Sequence, residues 1–259
     1  MIQDSFTLRR AAVAYMFPGK PQLTRDDNLK FYDTVTRQGV DVPQFTQKDT
    51  SVQLARLRPG TPPGAFLVEA GEHQGRMRFL VAEEWPSTRT LELTGKDADI
   101  GWDSFREVWP PKRVGGKPVL VEVNLRSTAA VRGGSATEFL RDHCLHLTQA
   151  SLKQLAREVS GLGLKIVLPV QVSTGGDEIP LNGAAGEIRV ETLLDDPTRL
   201  YIEATFNWPA IPIPEEVREQ IGGPNRINAE VLRPSEYLRN ADDYLKGQLT
   251  SFLLALGER

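Results

Sequence analysis

Apolar and polar residues alternate along much of the chain, and this two-residue period predicts β-strands with one buried face. In residues 119–126, Val or Leu at each odd position alternates with Glu122, Asn124 and Arg126. Similar short apolar runs predict further strands at residues 6–16, 52–56, 66–70, 77–85, 88–94, 164–172, 188–193 and 200–208. Pro169 cannot donate to a strand ladder, so we expect the strand at 164–172 to lie at an edge or a bulge.

Two capping boxes predict the starts of helices. Thr24 with Asp27 begins a helix that ends at Gly39, and Ser135 with Glu138 begins a longer helix that runs to about residue 160. The longer helix is expected to bury a face made of Leu140, Leu145, Leu152, Leu155 and Val159. Further helices are predicted at residues 103–109, 215–221 and 235–256, and the last of these is the most apolar.

Two segments match each other closely enough to indicate an internal duplication. Residues 76–86 read RMRFLVAEEWP and residues 199–209 read RLYIEATFNWP, so each is a predicted strand that ends at Trp-Pro. Upstream of each lies another matching strand, centred on Val68 and Val190. The offset is 122 residues between these valines and 123 between the tryptophans, so the copies keep register to within one residue.

The duplication divides the chain into two α+β modules, residues 1–113 and residues 114–259. Each module contains a strand, a helix and an antiparallel meander, and the second adds a C-terminal amphipathic helix. The run from Val114 to Pro118, which contains two glycines, is the expected linker. Trp102 and Trp109 precede it, and we expect them to hold the two modules together.

The order of a strand, a long helix and an antiparallel meander resembles that of hot-dog domains. The resemblance is one of element order and includes no signature residues. It implies a tunnel beside the long helix and an acyl or other apolar substrate.

Composition excludes some classes of protein. Lysine and arginine number 31 against 34 acidic residues, and the net charge of −3 argues against a protein that coats nucleic acid. The single cysteine, Cys144, leaves no partner for an intramolecular disulfide. No run has the length of a membrane span, and the first residues lack the features of a signal peptide, so we expect a cytoplasmic protein.

The densest group of reactive side chains lies between residues 142 and 146. On the predicted long helix, His143 and His146 are three residues apart, so both imidazoles could face one ligand with Asp142 beside them. These three residues are the candidate catalytic residues, although histidines at this spacing are more often structural or solvated. A metal would need more ligands, and His73 is the only other histidine, so we expect no bound metal.

A second candidate site precedes the same helix. Gly133 and Gly134 lie before the Ser135 cap, an arrangement that would point free backbone amides at an anion. Arg126 and Arg132 are close in sequence and would add positive charge. The segment matches neither of the glycine-rich phosphate motifs, and a Gly-Gly turn before a capped helix is commonly structural.

Acidic residues also occur close together. Asp97 and Asp99 could bind a divalent ion weakly, but the rest of an EF-hand pattern is missing, so a solvated loop is the simpler interpretation.

Three functional hypotheses follow. The leading one is a non-enzymatic cytoplasmic protein without a cofactor, which binds a partner protein, a ligand or a second copy of itself at the seam between the modules. Membranes and nucleic acids are not expected partners. The first alternative is a hot-dog-like enzyme or small-molecule binder that uses Glu138, Asp142, His143 or His146. The second is an anion- or nucleotide-responsive module that uses Arg126 and residues 132–135.

Overall fold

Nine antiparallel strands form one sheet in the part of the chain that the structure describes. The structure is a computed structural model that describes residues 6–56, 63–72, 74–82, 88–172, 180–210 and 231–257. His73, Trp85 and the helix predicted at residues 215–221 lie outside these ranges.

The strands are β1 (Thr7–Phe17), β2 (Gln44–Lys48), β3 (Ser51–Arg56), β4 (Gly64–Ala70), β5 (Gly75–Ala82), β6 (Leu120–Ala130), β7 (Gly163–Leu168), β8 (Ala185–Thr192) and β9 (Arg199–Pro209). The α-helices of the described ranges are α1 (Arg25–Arg37), α2 (Thr88–Val108), α3 (Ala136–Phe139), α4 (Gln149–Lys153), α5 (Pro234–Tyr244) and α6 (Thr250–Gly257). A 3₁₀ turn covers Pro111–Arg113, and π-helical turns cover Leu140–Cys144 and Leu245–Leu249.

The order of strands in the sheet is symmetric about the central pair, apart from one additional edge strand. That order is β2-β3-β4-β5-β1-β6-β9-β8-β7, with β1 and β6 adjacent and Val13 facing Val123. Outward from this pair, the first half continues as β5, β4 and β3, and the second as β9, β8 and β7. The fold is therefore α+β, built from two pseudo-repeats of the same connectivity within one sheet. β2 is an addition to the first repeat.

The two matching hairpins pair with registers that differ by two residues. Val68 faces Met77 across β4 and β5, and Val190 faces Ile202 across β8 and β9. The sequence offset of 123 would carry Met77 onto Leu200 instead. Because successive side chains point to opposite faces of a strand, a shift of two residues keeps the same face buried. The two repeats therefore keep the same strand order and the same buried face, although the pairing of their hairpin strands differs by two residues.

The prediction of an edge strand near Pro169 is confirmed. β7 is the last strand on the side of the second repeat, and it ends at Leu168, one residue before the proline. A residue without a backbone N–H can follow an edge strand without breaking a ladder hydrogen bond.

Helix α2 replaces two predicted elements, the strand at residues 88–94 and the short helix at residues 103–109. The strand prediction came from alternation over seven residues, which is too short a window to reveal a helical period. Over the full helix, buried residues recur every three or four positions, at Leu91, Thr94, Ala98, Trp102 and Phe105. The helical period therefore governs the segment.

The long helix predicted from Ser135 to about residue 160 is wrong. Its capping box forms, with the Glu138 N–H donating to the Ser135 hydroxyl, but α3 ends at Phe139 and a π-turn follows. His146 then has a positive φ of 50°, which no helix accommodates. The chain therefore leaves the helical path within three turns.

A second capping signal accounts for the break. Thr148 accepts a hydrogen bond from the Ser151 N–H and starts the separate helix α4. The predicted buried face is lost with the helix: Leu140 is buried, whereas Leu155 is 62% exposed. Competition between local caps thus replaces one long helix with two short ones.

Helices α1, α2 and α5 cover one face of the sheet, and the core lies between them and the strands. Gly101 lets α2 approach β4 closely, because a Cβ added there would lie 2.3 Å from ring carbons of Phe66. Phe31 of α1 meets the same ring edge-on.

The C-terminal helical segment is close to its prediction. It begins at Pro234 and continues through a π-turn into α6, and it buries Leu238, Leu245, Leu249 and Leu253. Among the helices in the described ranges, none is long and apolar enough to cross a membrane.

Candidate functional site

A cleft of about 240 Å³ opens where the two repeats meet, and we call it the seam cleft. The end of β1 and one face of α2 with the residue that follows it contribute Phe17, Trp102, Phe105, Arg106 and Trp109. The 3₁₀ turn and the linker contribute Pro111, Val114, Gly116, Lys117 and Pro118. Val231, just before α5, adds a side chain from the second repeat.

Four aromatic rings form a continuous row in this lining. The ring centroid of Phe105 lies 5.1 Å from that of Phe17, 6.2 Å from that of Trp102 and 5.4 Å from that of Trp109. Trp102 and Phe105 lie on one face of α2 because they are three positions apart in the helix. The Trp109 Nε1–H donates to the Gln22 carbonyl at 2.8 Å, so the polar edge of that ring is satisfied away from the cleft. The four side chains line the cleft, but each is 6% exposed or less, so most of their ring surface is packed in the core.

Two cations stand among these apolar groups. Arg106 and Lys117 are both exposed, and the Arg106 guanidinium carbon lies 5.7 Å from the Trp102 ring centroid. This is the range of a cation–π contact, which orients the guanidinium over the aromatic row. The lining contains no carboxylate, histidine or cysteine among the described residues.

Backbone contacts fix the linker side of the cleft. The Gly19 N–H donates to the Val114 carbonyl at 2.9 Å, and the Val119 N–H donates to the Met16 carbonyl at 2.8 Å. Gly115 has a φ of 75°, and a Cβ there would lie 2.8 Å from the Gly19 nitrogen. Only glycine allows the linker to approach the end of β1 this closely.

Arg113 holds the 3₁₀ turn in place between two helices. It donates to the Val108 carbonyl at the end of α2 and to both carboxylate oxygens of Asp27 at the start of α1. This bidentate contact lowers the pKa of Asp27 and raises that of Arg113. The turn that carries Pro111 is thereby tied to both helices.

Aromatic packing closes the seam beneath the cleft. Tyr15 of β1 stacks on Trp102 at 4.1 Å and meets Tyr237 of α5 edge-on at 6.1 Å. Tyr237 in turn lies 4.8 Å from Trp208 of β9. Burial raises the pKa of Tyr15 well above its ordinary value, so its hydroxyl is neutral and donates to the Leu232 carbonyl. This part of the seam is filled.

Polar contacts join α2 to the start of α5 alongside these rings. Asp99 accepts hydrogen bonds from the Ser235 N–H at 3.0 Å and from its hydroxyl at 2.7 Å. Arg233 forms salt bridges with both Asp99 and Asp103. The two repeats are therefore held together by charge as well as by packing.

The candidate catalytic residues do not share a helix face. Asp142 and His143 belong to the π-turn, whereas His146 follows it and is exposed. Arg141 forms a bidentate contact with Asp142 and lowers the pKa of that carboxylate, while burial raises the pKa of the Cys144 thiol. The assignment of His143, His146 and Asp142 stays a prediction, but the helical spacing behind it is absent. The hot-dog-like tunnel likewise has no long helix here to lie along.

The residues of the predicted anion site are spread over two places. Arg126 lies within β6 and pairs with Glu203 at 2.9 Å. Arg132, Gly133 and Gly134 are exposed in the turn before α3. The Ser135 hydroxyl and the Glu138 carboxylate form a reciprocal capping box at the start of α3. The site stays a prediction, although the Ser135 N–H already donates to the Glu138 carboxylate at 3.3 Å and the Ala136 N–H donates to the Pro197 carbonyl.

Asp97 and Asp99 lie on α2 rather than in a solvated loop, so that interpretation is wrong. Asp97 is buried and its carboxylate accepts from Arg56 at 2.8 Å, while Asp99 binds Ser235. The described residues contain no group of three His, Cys, Asp or Glu side chains that could hold a metal ion.

Sequence reasoning identified the linker, Trp102 and Trp109 but missed Phe17, Phe105 and Arg106. The signal for these residues is their spacing: Phe105, Arg106 and Trp109 follow Trp102 by three, four and seven positions. That spacing marks one helix face. The helix predicted at residues 103–109 covers only the last part of α2, and its aromatic face was not recognised as a lining.

No protein-family model and no curated protein matches the chain. Among solved structures, the chain is similar to the di-domain ARO/CYC BexL from the BE-7585A biosynthetic pathway, at 11% identity and a TM-score of 0.27, over 96% of this chain and 97% of that one. It is also similar to DynU16, from the dynemicin biosynthetic locus, at 10% identity and a TM-score of 0.23, with the same coverage. Both alignments run the length of the chain, but their scores are too low to support any inference about activity.

Proposed function

We propose that the protein binds a small apolar ligand in the seam cleft. The observation that supports this is a concave opening walled by an aromatic row on one side and by the linker on another, at the junction of the two repeats. Ligand sites are typically concave and mostly apolar, with a few polar groups that fix orientation. The seam cleft has this composition.

The size of the cleft favours a ligand of one or two rings. Its volume of about 240 Å³ is a little below the usual lower limit of about 300 Å³ for ligand pockets. A planar molecule can stack against the ring row, since aromatic pairs favour offset or edge-on contact at these distances. A binding role also suits the lining, because its described residues include no carboxylate, imidazole, thiol or hydroxyl group.

Hydrogen bonds hold the walls of the seam cleft in place, and this also favours ligand binding. The linker is hydrogen-bonded to the end of β1, and Arg113 ties the 3₁₀ turn to α1 and α2. A site that is already in place loses less entropy on binding than one that must become ordered. We therefore expect the free and bound cleft to have similar shapes.

Calorimetric titration with 2-naphthamide, a neutral two-ring probe, tests the proposal. At roughly 0.3 kcal/mol for each of its about 13 non-hydrogen atoms, the probe should bind with a dissociation constant on the order of 1 mM. Val231→Trp should fill the cleft and weaken binding by about ten-fold or more, because the new ring competes for the aromatic row.

Val119→Trp is the matched control. Val119 is next to the lining in sequence but is 38% exposed and does not line the cleft, so this variant should bind as the wild type does. Thermal melting of both variants checks that they are folded. Absence of binding to the wild type, or equal binding by Val231→Trp and the wild type, would contradict the proposal.

A further inference from the structure

We infer that the ligand of the seam cleft is an organic anion, an aromatic body that carries a carboxylate or similar group, recognised at the mouth by Arg106. This inference rests on the proposed function and specifies the class of ligand. It is supported by the position of Arg106, by the carboxylates around it and by the apolar character of the remaining wall.

Arg106 is held at the boundary between the aromatic row and solvent. Its guanidinium lies over the Trp102 ring, four residues earlier on α2, and this contact orients the side chain. A guanidinium that stacks by its face keeps N–H donors at its edge, and these suit the two oxygens of a carboxylate.

The nearest carboxylates on α2 are engaged with other cations. Asp103, three residues before Arg106, forms a salt bridge with Arg233, and Glu107, the next residue, lies 3.8 Å from the Lys30 ammonium. Within the described ranges, Arg106 forms no salt bridge. Positive charge at the mouth of the cleft is thus not neutralised by its own helix.

Lys117 also lies in this lining, on the linker side, but it already interacts within the chain. The cleft therefore has an apolar aromatic wall, the Arg106 guanidinium at its mouth and no anionic group among the described lining residues. A ligand that is apolar in its body and anionic at one end matches both features at once. A neutral ligand would match only the first.

The test compares 2-naphthoate with 2-naphthamide, which differ only in charge and in one donor group. The wild type should bind the carboxylate about three- to five-fold more tightly than the amide, the range expected for an ion pair that is partly exposed to solvent. The preference should shrink as ionic strength rises, because salt screens exposed charges.

Arg106→Gln should reduce the preference, measured as the ratio of the two dissociation constants in the same variant, to below about two-fold, and Arg106→Lys should restore part of it. Arg37→Gln is the matched control, because Arg37 is also an exposed arginine in the last turn of a helix but lies outside the lining. It should leave the preference unchanged.

The outcomes separate the two proposals. Equal binding of both probes to the wild type, or an unchanged preference in Arg106→Gln, would overturn the anion inference while the seam cleft stays a ligand site. Loss of both probes, or binding that persists in Val231→Trp, would overturn the proposed function itself.

Discussion

The two repeats share a sheet but differ in their helices. In the first, α1 runs over 13 residues and α2 over 21 residues, and both bury an apolar face against the strands. In the second, the segment that corresponds to α1 is broken into α3, a π-turn and α4, of which the two α-helices have 4 and 5 residues. The two repeats therefore share their strand connectivity but not the length of the helix that follows their first strand.

The difference follows from how each element is stabilised. A strand in the middle of this sheet has hydrogen-bonded partners on both sides, so its position is set by its neighbours. A helix depends on its caps and on one buried face, and it can shorten wherever a competing cap arises. The seam cleft lies beside the longer helix, where α2 passes the linker. The cleft therefore depends on a helix and a linker, and not on the strands that the two repeats share.

The largest expected effect concerns the attachment of α2 to the first repeat. Arg56→Met should lower the free energy of unfolding by about 3–5 kcal/mol, because it removes the guanidinium that forms an ion pair with the Asp97 carboxylate, and both side chains are 1% exposed or less. Urea denaturation measures the change. Arg56→Met combined with Asp97→Leu should recover most of the loss, and a single-variant cost below about 1 kcal/mol would show that the pair does not fasten α2.

The next effect distinguishes the short helices of the second repeat from the long helix predicted by sequence. Leu140→Ala should cost about 2–4 kcal/mol because Leu140 is fully buried, whereas Leu155→Ala should cost less than about 0.5 kcal/mol because Leu155 is 62% exposed. Denaturation of the two variants side by side gives the comparison. Similar costs at both positions would favour one continuous helix with a shared buried face.

Most strands, α1 and the C-terminal helical segment could be predicted from the sequence, whereas the full length of α2, where a strand was expected at its start, and the break after α3 could not. A two-residue period is visible within a short run such as residues 119–126, which forms most of β6. The period of α2 emerges only over a longer window, and the break at His146 depends on a positive φ that no apolar pattern encodes. The two-residue difference in hairpin register depends on strand pairing and is likewise absent from the offset.

For the candidate site, the linker and two tryptophans could be predicted because their composition is distinctive. Arg106 could not, since its role depends on which neighbouring carboxylates are engaged by Arg233 and Lys30, residues far away in the chain. Val231 is likewise brought to the cleft only by tertiary packing. Contacts between distant segments decide the chemistry of this site.

A smaller effect tests the anchoring of the 3₁₀ turn at Pro111–Arg113, which has no counterpart among the described residues of the second repeat. Arg113 lowers the pKa of Asp27, so this carboxylate binds protons less readily in the folded chain than in the unfolded one. Its stabilising effect is present above the unfolded pKa of about 3.9 and is lost as pH falls through the lower folded value. Asp27→Asn should therefore cost about 0.5–1 kcal/mol at pH 7, and less at pH 3.

Asp26→Asn is the matched control for this prediction. Asp26 lies in the same first turn of α1 but is exposed, so its replacement should change stability by only about 0.3 kcal/mol through the helix dipole. Urea denaturation at both pH values measures the two variants. A loss for Asp27→Asn that is independent of pH would show that the ion pair with Arg113 is not its source.

A crystal structure of the protein soaked with 2-naphthoate tests the central claim most directly, because it locates the ligand rather than inferring its place from affinity. We predict electron density for the two rings against Trp102 and Phe105, with the carboxylate directed at Arg106. Density at another surface, with the seam cleft free of the probe, would contradict the account.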